Sequence, residues 1–186
     1  MLHQLLFQGM FFAKNILLER RLRKPIRGFN PEANLSIAFF ALFICVALWF
    51  SLSPDTHRIS VLPSGLTQAA AGLFMLASLG IAAASLKDLG DSWRVGVIEE
   101  QETELIDQGV YRFSRNPYFL AYLLMFAAYT TLLQSFLLLA LSVIGFGLIH
   151  GMILREERYL ASKHGADYEC YRRRVSRYLL LRKASY

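Results

Sequence analysis

The feature that most limits what this chain can become is a set of apolar runs without a single Asp, Glu, Lys or Arg: Asn34 to Ser53, Leu66 to Leu86, Pro117 to Leu133 and Phe136 to Leu154. A bilayer hydrocarbon core of roughly 30 Å is crossed by about 20 apolar residues in a helix. Inside it, every backbone N–H and C=O has to be satisfied by the protein itself. The runs therefore predict an all-α integral membrane protein with four transmembrane helices. The last two are separated only by Gln134 and Ser135, and so short a connection requires a tight antiparallel hairpin. In the second run Gly72, Gly80 and Ala84 repeat at multiples of four residues, which predicts close approach of another helix there; Gly145, Gly147 and Gly151 of the fourth run are read the same way.

Charge gives an independent check, because it uses residues that did not define the runs. With four spans and both ends on one side, 19 of the 20 Lys and Arg share that side and only Arg58 is opposite. The positive-inside rule then predicts a multi-pass inner or plasma membrane protein with cytoplasmic N- and C-termini and a cytoplasmic central loop. The net charge of +6 is accounted for by these clusters, so no nucleic acid partner is expected. Residues 1–33 are read as an interfacial segment. Residues 2 to 24 form an amphipathic helix in it, because a span here would have to hold Lys14, and the basic cluster Arg20, Arg21, Arg23 and Lys24 follows the apolar stretch where a secretory signal would have it first. Residues 34–154 are the transmembrane core and 155–186 a helical cytoplasmic tail. His164-Gly165 breaks the long fourth helix, and a short helix follows from Asp167 to about Arg177. Together they make one domain.

Cys45 and Cys170 fall in different phases, so no disulfide is expected, and no His, Cys or acidic cluster has metal-ligand spacing. The acidic stretch Glu99 to Asp107 reads as a solvated surface. His150, inside the fourth run, is an ionisable group in a membrane and is either functional or bonded to a neighbouring helix. The strongest candidate chemistry lies at the hairpin base. Asn116-Pro117 has the form of a helix start, with Asn capping and Pro in the first turn. This puts Arg115 at the start of the third span. Glu156 and Glu157 sit where the fourth span leaves the membrane, and the hairpin brings the two places to one face. A cation and a positive helix end opposite carboxylates suit the zwitterionic end of a free amino acid, such as that of S-adenosylmethionine. The alternative is an Arg–Glu salt bridge that ties the hairpin base.

The stretch LGDSWRVGVIEEQETELIDQGVYRFSRNPYFLAYLL, followed about forty residues later by EERYLASKHGADYECYRRRVSRYL, resembles the isoprenylcysteine carboxyl methyltransferase family and its phospholipid methyltransferase relatives. The resemblance covers roughly residues 87 to 178. It implies a membrane methyltransferase that uses S-adenosylmethionine, with membrane lipids around it and a lipophilic small-molecule acceptor. It also implies that Glu104, Leu105, Ile106 and Tyr111 line the cofactor, that Asn116, Pro117, Tyr118 and Phe119 lie against it, and that Tyr168, Tyr171 and Arg174 of the tail close over it. Glu156, the first of the paired acids, is implied on the cofactor. The helix stripe Ile153, Leu154, Leu160 and Ala161 favours its neighbour Glu157, so both stay candidates beside Arg115. Asn116 stands where the family has a His, Phe119 where it has a Tyr, and Met152 where the prenylcysteine enzymes carry an Arg associated with substrate. Membrane sterol reductases, which use NADPH, share a similar C-terminal pattern but tend to be longer. A non-catalytic relative that kept the fold is the other alternative.

Overall fold

The computed structural model describes residues 2–23, 31–53, 62–94 and 104–179. Lys24, Arg58 and residues 99–103 of the acidic stretch lie outside them. The described residues are helical, with no strand: α1 (Leu2–Leu22), α2 (Pro31–Leu52), α3 (Ser64–Leu89), α4 (Pro117–Leu133), α5 (Phe136–His164) and α6 (Ala166–Arg174). Single 3₁₀ turns at Gly90–Ser92 and Gly109–Arg112 flank the central loop. Three segments, Asn34–Leu52, Ser64–Ser92 and Phe136–His164, are long and apolar enough to cross a membrane, and the shorter apolar Pro117–Leu133 lies among them. Their outward faces carry Leu42, Trp49, Leu73, Leu76, Val143 and Ile144, side chains that a water-soluble protein would bury. The protein is accordingly an integral membrane protein.

The hairpin predicted from its short connection is present. Gln134 caps α4 in the left-handed conformation at φ 45°, and Ser135 is already extended ahead of α5. The Gln134 side chain makes a reciprocal pair with the backbone of Leu62 at the start of α3, donating from Nε2 at 3.2 Å and accepting at Oε1 at 2.9 Å. This end of the bundle is thus closed by an amide clasp, while the opposite end opens out to the polar segments.

The small-residue reading needs a correction. A Cβ added at Gly72, Gly80, Gly147 or Gly151 would meet open space. The buried face of α3 runs instead through Ala71, Ser78, Ala82 and Ser85, offset around the helix from the glycines, and the hydroxyls of Ser78 and Ser85 turn back to the carbonyls of Met75 and Ile81. A repeat of fours fixes a stripe on a helix but not which neighbour it faces, which is why sequence spacing chose the wrong one. Gly145 alone bears out the expectation: a Cβ there would lie 2.5 Å from the Phe126 ring and 2.8 Å from Phe39. Phe126 is fully enclosed and cannot yield, so Gly145→Ala is expected to destabilise the protein by about 1–3 kcal/mol, read as a lowered midpoint of thermal unfolding in detergent. Gly147→Ala, which meets nothing, is the control.

Residues 2–22 are helical as expected, but α1 packs along the flanks of α3 and α4. Phe7 is completely buried with its ring edge-on to Tyr122 at 5.0 Å, and Phe11 lies 5.5 Å from Trp93. His3 Nε2 is 2.8 Å from Ser78 Oγ halfway along α3, whereas Arg21 pairs with Asp91 just beyond its end. The side of α1 that faces the bundle carries Phe7, Phe11 and Leu18 together with His3 and Gln4, while Leu5, Phe12 and Leu17 face out.

Candidate active site

At the open end of the bundle a cleft of about 780 Å³, counting its open mouth, lies between the end of α3, the start of α4, the end of α5 and the tail. Of the residues nominated from sequence, Glu104, Leu105, Ile106, Tyr111, Arg115, Tyr118, Glu156 and Tyr171 line it. Asn116, Pro117, Phe119, Glu157, Tyr168 and Arg174 are not among its lining residues. Trp93, Arg94 and Tyr159 also line it, with Leu89, Ser92 and Leu160. They lie inside the two stretches that carry the family resemblance, although no role was assigned to them there.

The two adjacent glutamates have separate surroundings. Glu156 faces the cleft and accepts a hydrogen bond from the Tyr118 hydroxyl at 2.8 Å. Tyr118 in turn packs edge-on against Trp93, whose indole Nε1 donates to Asn15 Oδ1 of α1 at 2.8 Å. One line of contacts therefore runs from α1 through Trp93 and Tyr118 to the carboxylate. Glu157 is one residue on, rotated about 100° around the helix, and is 7% exposed. Arg115 donates to its Oε1 from Nε at 3.1 Å and Nη2 at 2.8 Å, Arg177 donates to its Oε2 at 2.9 Å, and Asn116 Nδ2 adds a bond at 3.1 Å.

This network accounts for the Asn116 position. It stands at the N-cap of α4 with Pro117 in the first turn, as expected, but its side chain makes no cap bond and donates to Glu157 and to the Arg177 carbonyl instead. The stripe that pointed to Glu157 was correct about its inward direction; what lies inward there is the tail. Arg115 also holds the tail by its main chain, its N–H bonding the Ser176 carbonyl at 2.9 Å, while Nη1 reaches the carbonyls of Val175 and Arg172. The salt-bridge alternative for Arg115 is thus realised with Glu157, and a cleft remains beside it lined by Glu156.

Several phenols surround this region. Burial pushes the Tyr111 hydroxyl well above its ordinary value, with Glu156 adding to the effect, and burial pushes Tyr168 up to about 12. Burial raises Tyr171 as well, and its hydroxyl donates to the Tyr111 carbonyl at 2.8 Å. All three therefore stay protonated near neutrality. The bonds to Glu157 hold the Arg177 guanidinium above its usual value. His150, away from the cleft, has Nδ1 2.9 Å from the Tyr178 hydroxyl, so its partner is the tail. Among the described residues no group of His, Cys, Asp or Glu could hold a metal ion.

A bundle of lipid-facing helices with a charged, partly enclosed cleft at one end defines an integral membrane protein with a small-molecule site at its polar end. The sequence pattern of the phospholipid methyltransferase family matches residues 66–167, from α3 into α6, and the protein belongs to that family. A search among curated proteins gives no match. The family is one of membrane methyltransferases that act on lipid-like substrates, related to the isoprenylcysteine enzymes whose motifs the sequence resembles.

Proposed function

We propose that the protein transfers a methyl group from S-adenosylmethionine to the polar head of a lipid-like acceptor, in the cleft beside Glu156 and on the cytoplasmic side. The observation that carries this reading is that Glu156 is turned into the cleft while its sequence neighbour Glu157 is locked into the fold. A carboxylate there suits the ammonium group of the donor's amino-acid end. The fit has a second support: the Tyr111 hydroxyl is buried, lines the cleft and has no hydrogen-bond partner among the described residues, which leaves it to meet a polar group of a bound molecule.

The donor brings an activated methyl and its own leaving group, so the chain has mainly to position the reactants, an effect worth roughly 7–11 kcal/mol in well-oriented systems. Glu156 and Tyr118 orient the amino-acid end, Trp93 and Leu105 supply apolar wall, and Tyr171 closes the tail side. Met152, in place of the substrate-associated Arg of the prenylcysteine enzymes, accepts a contact from Ser36 Oγ at 2.9 Å. No cation is therefore supplied at that position, which favours an acceptor other than a prenylcysteine carboxylate.

The test is to incubate the purified protein with methyl-labelled donor and a total lipid extract, and to compare thermal stabilisation by S-adenosylhomocysteine and by NADPH. Label in a lipid fraction, with stabilisation by the homocysteine product alone, is expected. Stabilisation by NADPH and no labelled lipid would replace this reading with that of a membrane reductase.

A further inference from the structure

The family pattern begins at residue 66, so α1 (Leu2–Leu22) lies outside it. α1 nevertheless holds a residue of the cleft wall. Asn15 Oδ1 accepts a hydrogen bond from the Trp93 indole Nε1 at 2.8 Å, and Phe11, one turn earlier on α1, has its ring 5.5 Å from that of Trp93. Trp93 is buried and lines the cleft. An indole N–H can only donate, and when buried it needs an acceptor. Asn15 supplies it.

Trp93 follows the 3₁₀ turn Gly90–Ser92 in extended conformation, beyond the end of α3. No helix geometry restrains its side chain, so its neighbours set the direction of the ring. The Asn15 bond fixes one corner of the indole, and the Tyr118 ring stands at 87° to it with centroids 5.3 Å apart. Tyr118 carries the effect onward, because its hydroxyl donates to Glu156 Oε2 at 2.8 Å. α1 also backs the next turn of α4, where Phe7 and Phe11 lie 5.0 and 5.3 Å from Tyr122. The ion pair of Arg21 with Asp91 is exposed on both partners and adds little. A binding carboxylate keeps its direction only when the side chains behind it are locked, and here that support comes from a helix the family pattern does not include.

We propose that Asn15 is a positioning residue of the cleft: its hydrogen bond orients Trp93, and Trp93 through Tyr118 fixes the direction of the Glu156 carboxylate, so that α1 is part of the site. The ligand that Glu156 meets is taken from the methyl-donor reading above, on which this rests. Asn15 itself touches neither donor nor acceptor.

The experiment is a double-mutant cycle read by calorimetric titration of the full chain in detergent with S-adenosylhomocysteine. Asn15→Ala is expected to weaken binding roughly 3- to 10-fold, the range for one lost hydrogen bond. Trp93→Phe keeps an aromatic ring against Tyr118 but has no N–H to hold, so adding Asn15→Ala to it should change affinity by less than about twofold. Arg21→Ala, which removes the exposed pair between α1 and Asp91, is the control and should bind within about twofold of wild type. Wild-type affinity in Asn15→Ala overturns the assignment, as does an equal loss from Asn15→Ala in both backgrounds, because the effect would then not pass through Trp93. A loss in Arg21→Ala as large as that in Asn15→Ala overturns it too, by assigning the effect to the docking of α1 in general. So does loss of the fold in Asn15→Ala while Trp93→Phe stays folded, since the side chain would then be holding α1 and not the ring. If the wild type itself binds no S-adenosylhomocysteine, the methyl-donor reading fails and takes this one with it, a result distinct from the others.

Discussion

Glu157→Ala is expected to destabilise the folded protein by about 3–5 kcal/mol, the range for removing one partner from a buried ion pair. The reason lies in what is left behind. The Arg115 side chain is 8% exposed and would keep its charge with no carboxylate to face, whereas Arg177, 34% exposed, can turn to water. Asn116 would lose an acceptor as well. At roughly 2–4 °C per kcal/mol for a chain of this size, the midpoint of thermal unfolding in detergent should fall by about 6–20 °C. Arg115→Ala should cost less, because Arg177 still partners Glu157, and the double variant should lose less than the sum of the singles. A midpoint within 2 °C of wild type in Glu157→Ala would remove the network from the account of the fold, and strict additivity would deny the coupling between the two residues.

Glu156→Gln should do the opposite: little change in stability and a loss of roughly 10- to 100-fold in affinity for S-adenosylhomocysteine. The amide has the shape of the carboxylate and its oxygen can still accept from the Tyr118 hydroxyl, so the local packing survives. What disappears is the negative charge on the cleft wall, which the donor's ammonium needs. Titration calorimetry reads the affinity, and the unfolding midpoint of the same sample reads the fold. Affinity equal to wild type would take Glu156 out of the site. The pair of variants is informative together because the two side chains are neighbours in sequence: one should move binding and the other stability.

Motif order served the candidate site well where the residues come from one continuous segment. Glu104 to Ile106, Tyr111 and Tyr118 reach the cleft, as do Glu156 and Tyr171 from the second motif. It served less well for Asn116 and Glu157, whose types and positions are compatible with capping and cofactor contact, and which instead bond each other and the tail. Arg94 and Trp93 escaped notice because no spacing marks them. Trp93 is held by a bond to Asn15, about eighty residues away in the chain, and such distant packing leaves no periodic trace.

The helices themselves were determined by sequence alone. Charge-free runs of membrane length, a two-residue connection and a glycine after His164 mark the helices and their breaks, since backbone hydrogen bonding and the glycine's φ of 53° are local matters, although the tail helix stops at Arg174, short of the expected Arg177. Which face of each helix meets which neighbour was decided only in the tertiary structure. Gly145 rather than Gly72 is the glycine pressed against neighbouring helices, α1 turns Phe7 and Phe11 into the bundle, and a rotation of about 100° between successive residues sends Glu156 to the cleft and Glu157 to the tail. Rotation about a helix axis changes no local interaction, so only the packed partners can select it.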